Sequence, residues 1–360
     1  RPARRPQGGD LTVASAATQR LILRKLLSLP APLLRLMSGG GVVYQGGRTL
    51  DPRFQFLAAR ARQAPALSTL SPEEVRRGEV AGLGPVMGDP EPGVACEPLT
   101  VEGPNGPVPA RSYRPDNQSP TAPLLVFAHM GGGVIGGLET THVFCTLLAA
   151  IARCPVLSVD YRLAPEHRFP AGLDDVLAAY RWGRDNAERF GAPKGLAAIA
   201  GDSMGGNFAA VVCQELKRAG EPQPVLQLLV YPCVDVASES ASMTIYADAF
   251  PLSRATMDWF VGHYMTPDAA PADPRLSPLR QKNLSGLAPA VVVTAGFDPL
   301  LDQGETYARR LKAAGVPVIY RCYDSLAHAF VAFTGAVPSA DTACREIAGL
   351  VREGLEGRIA

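Results

Sequence analysis

The chain has 360 residues, of which 47% are hydrophobic and 19% are charged. This apolar content can build a sizeable core, which excludes disorder as the main state of the chain. Lys and Arg number 35 and Asp and Glu 34, so no global positive field exists to recruit nucleic acid.

The near-zero net charge hides a basic N-terminus, since residues 1–37 hold seven basic residues and one acidic residue, Asp10. Residues 1–90 are predicted to be mostly helical. The apolar stretch 21–37 is interrupted by Arg24, Lys25, Pro30 and Arg35, so neither a membrane span, a signal peptide nor stable membrane insertion is expected. The pattern favours a helix packed over the protein body, and a membrane-surface helix is the alternative.

From residue 97 onward, short strands alternate with helices. Two antiparallel strands are predicted at 98–101 and 108–113. Apolar runs typical of buried parallel strands follow at 124–128, 156–159, 196–200, 226–231, 290–295 and 316–320. Helical patterns lie between them at 173–182, 208–218 and 304–314. This alternation predicts an α/β fold with a mostly parallel sheet of about eight strands.

Two segments fall outside this alternation. They are residues 1–90 and an insertion at 236–285, which contains a helix near 254–264. We expect both to form a helical cap, with residues 91–235 and 286–360 making one catalytic core.

The strongest local motif is Gly201-Asp202-Ser203-Met204-Gly205, between a predicted strand and a predicted helix. A G-x-S-x-G sequence in this context is the nucleophile elbow, a sharp turn that pushes the serine out of the fold. Helix amides beyond the serine face any negative charge formed there. The sequence therefore predicts Ser203 as a nucleophile.

A serine hydroxyl needs a base and an orienting acid. Where serine occupies such a turn, the acid and then the histidine follow in the chain. Asp298 and His328 each follow a predicted strand, where an α/β sheet places its site. Asp302 and Asp324 are the alternative acids.

The loop 129–136 reads His-Met-Gly-Gly-Gly-Val-Ile-Gly and follows the strand 124–128. Its glycines can turn backbone N–H groups toward an oxyanion, and the amide of Met204 would join them. The same loop also fits G-x-G-x-x-G, a dinucleotide-binding motif. That alternative leaves the serine, aspartate and histidine unexplained, so no cofactor is expected.

Together these motifs resemble the hormone-sensitive lipase group of α/β-hydrolases, the bacterial family IV esterases. The resemblance extends from about residue 50 to the C-terminus. Its further matching segments are 67–74, the Tyr-Arg-Leu-Ala-Pro-Glu-His run at 161–167, 201–207, 298–300 and 328–330. It implies a triad of Ser203, Asp298 and His328, an oxyanion hole of Gly131, Gly132 and Met204, a helical cap and often a homodimer.

Two departures from the family pattern occur. Met130 stands at the first glycine of the HGGG box and Gly133 at the aromatic residue that follows it, although a register shift of one would make Gly133 a donor. We expect Gly133 to leave a roomier pocket, in which Met130 and Asp202 also lie. Met204 replaces a common alanine, and its side chain is expected to narrow one wall.

The expected function is hydrolysis of short- to medium-chain carboxylic esters, with a small-molecule ester as partner and without a metal. Lipase, lactonase and amidase activities on the same triad are alternatives, as is a non-catalytic small-molecule binder. Seven scattered cysteines without a C-x-x-C pair are typical of reduced thiols, so we expect a cytoplasmic protein.

Overall fold

The computed structural model describes residues 16–359, with side chains from Thr18 onward. Arg1, Arg4, Arg5 and Asp10 of the basic N-terminus therefore lie outside the described residues. Within the described range no helix is long and apolar enough to cross a membrane.

Two short strands form a small hairpin, and eight form the central sheet. In chain order the strands are β1 (Tyr44–Gln45), β2 (Arg48–Thr49), β3 (Val94–Gly103), β4 (Gly106–Pro115), β5 (Leu124–Ala128), β6 (Val156–Val159), β7 (Ala197–Asp202), β8 (Gln227–Val230), β9 (Ala290–Phe297) and β10 (Val318–Ala327).

The central sheet has the strand order β10-β9-β8-β7-β5-β6-β4-β3. Strands β3 and β4 pair antiparallel, and β4 also runs antiparallel to β6. The other neighbours pair in parallel. The predicted mostly parallel sheet of about eight strands is confirmed.

Helices cover both faces of this sheet and its carboxyl edge. In chain order they are α1 (Ala16–Leu27), α2 (Ala31–Met37), α3 (Pro52–Ala61), α4 (Pro72–Leu83), α5 (His142–Ala152), α6 (Ala171–Asp185), α7 (Met204–Ala219), α8 (Ala241–Ile245), α9 (Arg254–Tyr264), α10 (Leu301–Ala313) and α11 (Pro338–Leu355).

The sheet separates two layers of core. Helices α5 and α11 bury their apolar residues on one face. Helices α6, α7 and α10 do so on the other face. The buried strands β5 and β7 lie at the centre, so their carboxyl ends are held rigidly between both layers.

Local sequence fixes the starts of several helices. Asp51 accepts a hydrogen bond from the N–H of Arg53 at the start of α3. Ser71 and Glu74 form a reciprocal capping box on α4, and Pro72 is its first residue. These caps satisfy backbone N–H groups in the first turns of α3 and α4 and so stabilise both helices.

Candidate active site

The turn at Ser203 joins β7 directly to α7. Ser203 has φ 55° and ψ −115°, a strained conformation for a residue with a side chain. A Cβ on Gly201 would overlap the carbonyl of Gly205, and one on Gly205 would overlap that of Ala128. The two glycines are therefore required for strand and helix to pass this closely, and the turn presents the hydroxyl at the carboxyl edge.

Three side chains from distant parts of the chain meet at this turn. His328 Nε2 lies 2.9 Å from Ser203 Oγ, and His328 Nδ1 lies 2.7 Å from Asp298 Oδ2. The second carboxylate oxygen of Asp298 accepts the Leu300 N–H at 2.8 Å. Asp298 is fully buried, and Ser203 and His328 are nearly so. This geometry lets the imidazole take the serine proton while the carboxylate fixes its tautomer.

The two alternative acids have other partners. Asp302 accepts the backbone N–H of Ser242. Asp324 forms an ion pair with Arg48 at 2.8 Å and is largely exposed. The structure thus places only Asp298, of these three aspartates, against the histidine ring.

The loop after β5 lies opposite the serine. Gly131, Gly132 and Gly133 all have positive φ, at 117°, 63° and 73°. Within the described part of the chain, their N–H groups and that of Met204 donate no hydrogen bond. Gly131 and Gly132 line the same cavity as Ser203 and His328, whereas Gly133 does not. The geometry thus favours Gly131 and Gly132 as the oxyanion donors over the shifted alignment, in which Gly133 would be a donor.

His129 starts this loop and is completely buried. Its ring stacks on Tyr161 with centroids 4.1 Å apart, and its Nδ1 lies 2.6 Å from the carbonyl oxygen of Met130. Burial lowers the pKa of His129 to about 4, opposed by that backbone hydrogen bond. The ring is therefore neutral near pH 7 and supports the loop.

The prediction that Gly133 leaves a roomier pocket is wrong. A Cβ at Gly133 would lie 2.6 Å from the Tyr264 ring, which packs against the loop from α9. At Gly132, a Cβ would overlap the ring of Phe260. The glycines thus admit aromatic rings of α9, and the space beside Gly133 is filled by protein.

Of the other expected pocket residues, only Met130 lines the cavity. The side chain of Met204 is buried in the core and forms no wall of it. Asp202 is fully buried and accepts the Tyr231 hydroxyl at 3.0 Å. Burial raises the pKa of Asp202 to about 7, opposed mainly by this hydrogen bond and by the charge of His328. Asp202 is therefore a core carboxyl group behind the serine turn and not part of the cavity wall.

A mostly apolar cavity of about 620 Å³ leads to Ser203 and His328. Its walls come from α1, α3 and α4, from the segment around Phe250, and from Phe260 of α9. Both segments expected to form a cap therefore contribute to the walls, as does the loop after β5. Such a cavity suits a ligand with an apolar body.

Sequence reasoning missed two residues of α4 that hold the loop. Arg76 donates to the carbonyl of Val134 at 2.8 Å and forms an ion pair with Glu166 at 2.9 Å. Glu79 lines the cavity, and its Oε2 accepts the N–H of Gly136 at 2.9 Å. Their spacing of three places both side chains on one helix face, but it does not show which loop that face contacts.

The ionisation of Glu79 is expected to make the stability of the fold depend on pH. Burial raises the pKa of Glu79 to about 7, opposed by the Gly136 hydrogen bond and the charge of Arg76. Because the folded-state value lies above the unfolded one, its contribution to stability is present below about pH 4 and is lost as the pH rises through 7. We expect Glu79→Gln, whose amide oxygen can still accept from Gly136, to be more stable than wild type at pH 8, by up to ~3 kcal/mol, and similar near pH 4.

The measurement is urea unfolding at both pH values. Glu74→Gln is the matched control, because Glu74 also lines the cavity but its pKa is lowered by hydrogen bonds from Ser71. That variant should gain no stability at pH 8. Equal stability of wild type and Glu79→Gln at pH 8 would contradict the argument.

Comparison with known proteins agrees with this geometry. A family model described as alpha/beta hydrolase fold matches residues 125–332. The carboxylic ester hydrolase LipN of Mycobacterium tuberculosis is 43% identical over 311 residues, covering 84% of this chain and 82% of LipN. Ethyl acetate hydrolase of Pseudomonas putida is 38% identical over 237 residues, covering 65% of this chain and 74% of that protein.

Solved structures show the same likeness. An esterase of Pyrobaculum calidifontis has a TM-score of 0.78 and 34% identity, covering 86% of this chain and 100% of that one. The α/β hydrolase LAE6, from the metagenome of Lake Arreo, has a TM-score of 0.81 and 41% identity, covering 84% of this chain and 98% of that one.

The fold, the serine turn and these relatives define an α/β-hydrolase, and the chain belongs to that family. Within it, the chain is a serine carboxylesterase of the hormone-sensitive lipase-like group. The expected fold and ester-hydrolase class are thereby confirmed.

Proposed function

We propose that Ser203, His328 and Asp298 carry the hydrolysis as nucleophile, base and orienting acid. His328 takes the proton of Ser203 as its oxygen attacks the ester carbonyl, then gives it to the departing alcohol. Water repeats the sequence on the acyl-enzyme. The observation that carries the proposal is the hydrogen-bonded chain from Ser203 Oγ through the imidazole to Asp298, with distances of 2.9 and 2.7 Å.

We propose that the amides of Gly131, Gly132 and Met204 hold the oxyanion. Their N–H groups are free of protein acceptors in the described structure, and both glycines border the cavity beside Ser203. Removing one such donor typically costs about 10²–10³ in rate. Preorganised amides of this kind stabilise the charge that develops on the carbonyl oxygen.

Covalent labelling tests the role of Ser203. Incubation with diethyl p-nitrophenyl phosphate should add one diethylphosphoryl group per chain, and peptide mapping should place it on Ser203. Ser203→Ala should remain unlabelled under the same conditions. A modified residue elsewhere in the wild-type chain would contradict the assignment.

We propose that the substrates are short- to medium-chain esters, supported by the limited volume of about 620 Å³ and the apolar lining of the cavity. A series of p-nitrophenyl esters of increasing acyl length tests this, with Ser203→Ala as the background. kcat/KM should peak at short to medium chains and show no jump above the micelle threshold. A peak at long chains with such a jump would indicate a lipase.

We further propose a cytoplasmic location and a homodimer. Five of the seven cysteines are buried as free thiols (Cys145, Cys154, Cys213, Cys233 and Cys344), and Cys96 and Cys322 are free as well. Unpaired thiols are typical of a reducing compartment. Sedimentation velocity on the purified chain tests the dimer.

A further inference from the structure

The large apolar side chains that remain exposed are concentrated near the N-terminus. Ten such side chains occur among the described residues, and seven of them lie between residues 21 and 44. We call the part formed by Leu21 and Ile22 of α1 and by Leu33, Leu36 and Met37 of α2 the N-terminal apolar face. Clusters of this kind mark interaction sites, whereas single exposed apolar residues do not.

Helix α2 shows that the face is patterned. Leu33, Leu36 and Met37 follow the i, i+3, i+4 spacing of one helical stripe, and their exposures are 46%, 71% and 51%. Leu34, which is rotated about 100° around the helix from Leu33, is completely buried. The helix thus has apolar side chains both in the core and at the surface. A helix that faces only water has a polar outer side, so these residues indicate a partner.

Charge indicates what covers this face. Residues 1–50 contain eight basic residues and one acidic residue, although the whole chain carries only +1. Of the described basic residues among them, Arg20 and Arg24 share the single partner Asp89, and Arg48 pairs with Asp324. Lys25 is exposed on the side of α1 that carries Leu21 and Ile22, and it pairs with no carboxylate within the described residues. Basic residues beside an exposed apolar stripe suit an anionic lipid surface, which attracts the charges and receives the apolar side chains. A second copy related by a two-fold axis would bring like charges together instead.

The face is also next to the catalytic cavity. Leu23 of α1 lines that cavity, whereas its neighbours Leu21 and Ile22 point outward, with exposures of 55% and 57%. One helix therefore has the cavity on one side and the exposed face on the other. We propose that the N-terminal apolar face docks on anionic lipid surfaces and places the cavity where lipophilic esters are dissolved. Uptake of such esters rests on the proposed esterase function, but docking does not.

Vesicle sedimentation with the full chain tests docking directly. Vesicles of phosphatidylcholine with phosphatidylglycerol should bind the wild-type protein, and vesicles of phosphatidylcholine alone should bind it less. We expect the double variant Leu36→Glu/Met37→Glu to lower the bound fraction by about tenfold. Lys25→Glu should weaken binding to the anionic vesicles only, and added salt should have the same effect.

Leu196→Glu is the matched control, because Leu196 is 41% exposed but precedes β7 at the end of the sheet away from Ser203. It should bind vesicles like wild type. Hydrolysis of soluble p-nitrophenyl butyrate should be unchanged in all variants, which would show that they are folded. Because vesicle binding is measured without any ester, its outcome does not depend on the esterase proposal. Equal vesicle binding by wild type and the double variant overturns docking. Docking is also overturned if the wild-type protein is a dimer that does not bind vesicles and the double variant is a monomer. In that case a second copy of the chain covers the face.

Discussion

Replacing Ser203 by alanine is expected to lower kcat for p-nitrophenyl butyrate by about 10⁴–10⁶-fold, because loss of a serine nucleophile removes the covalent route. The residual rate would come from the oxyanion donors and substrate binding, which the variant keeps. KM should change little, since the hydroxyl is a small part of the cavity wall. Steady-state kinetics with active-site titration of the wild type measures both quantities.

The structure gives a reason to expect the alanine variant to fold. Ser203 already has a positive φ with a Cβ present, so alanine adds no backbone strain. The variant loses only the hydrogen bond from Ser203 to His328. Ser119→Ala, at a half-buried position before β5 and outside the cavity lining, is the control and should keep full activity. A Ser203→Ala variant with more than a hundredth of the wild-type kcat would show that another group is the nucleophile.

Asp298→Asn is expected to lower kcat by about 10⁴-fold because it changes which ring nitrogen of His328 carries the proton. The N–H of Leu300 donates to one oxygen of Asp298, so the asparagine oxygen stays there and its NH₂ group faces His328 Nδ1. Nδ1 must then accept a hydrogen bond, and the proton moves to Nε2. A protonated Nε2 cannot take the proton of Ser203.

Asp324→Asn is the control for this variant. Asp324 is one of the two alternative acids from the sequence, and in the structure it forms an ion pair with Arg48 at the surface. It should keep wild-type kcat and KM. NMR of the imidazole protons would show the tautomer change in Asp298→Asn but not in Asp324→Asn. A loss of activity in Asp324→Asn alone would reverse the assignment of the acid.

The approximate positions of the strands and the serine turn could be predicted because their signals are local. Each buried strand is a short apolar run, and the turn needs small residues two positions either side of Ser203. Strand ends were less well predicted. The last strand was expected at 316–320 but is Val318–Ala327, since much of it is only half-buried and lacks a continuous apolar run.

Contacts between the loop after β5 and the helices above it could not be predicted. Glu79 reaches Gly136 across 57 residues, and Tyr264 reaches Gly133 from α9. Nothing in the local pattern around Gly133 shows that an aromatic ring from elsewhere in the chain fills its space. The sequence thus indicated the three residues that meet at the serine turn but misplaced the free volume around them.

The packing of Phe260 and Tyr264 against Gly132 and Gly133 has a mechanical consequence. A displacement of α9 away from the body would withdraw the rings that support the loop. Because Phe260 also lines the cavity, access to the cavity and alignment of the glycine amides are coupled. In the proposed mechanism, a wide opening would leave the developing oxyanion without its hydrogen-bond donors. Replacing Phe260 or Tyr264 by a smaller residue would accordingly enlarge the space beside the loop but lower the catalytic rate.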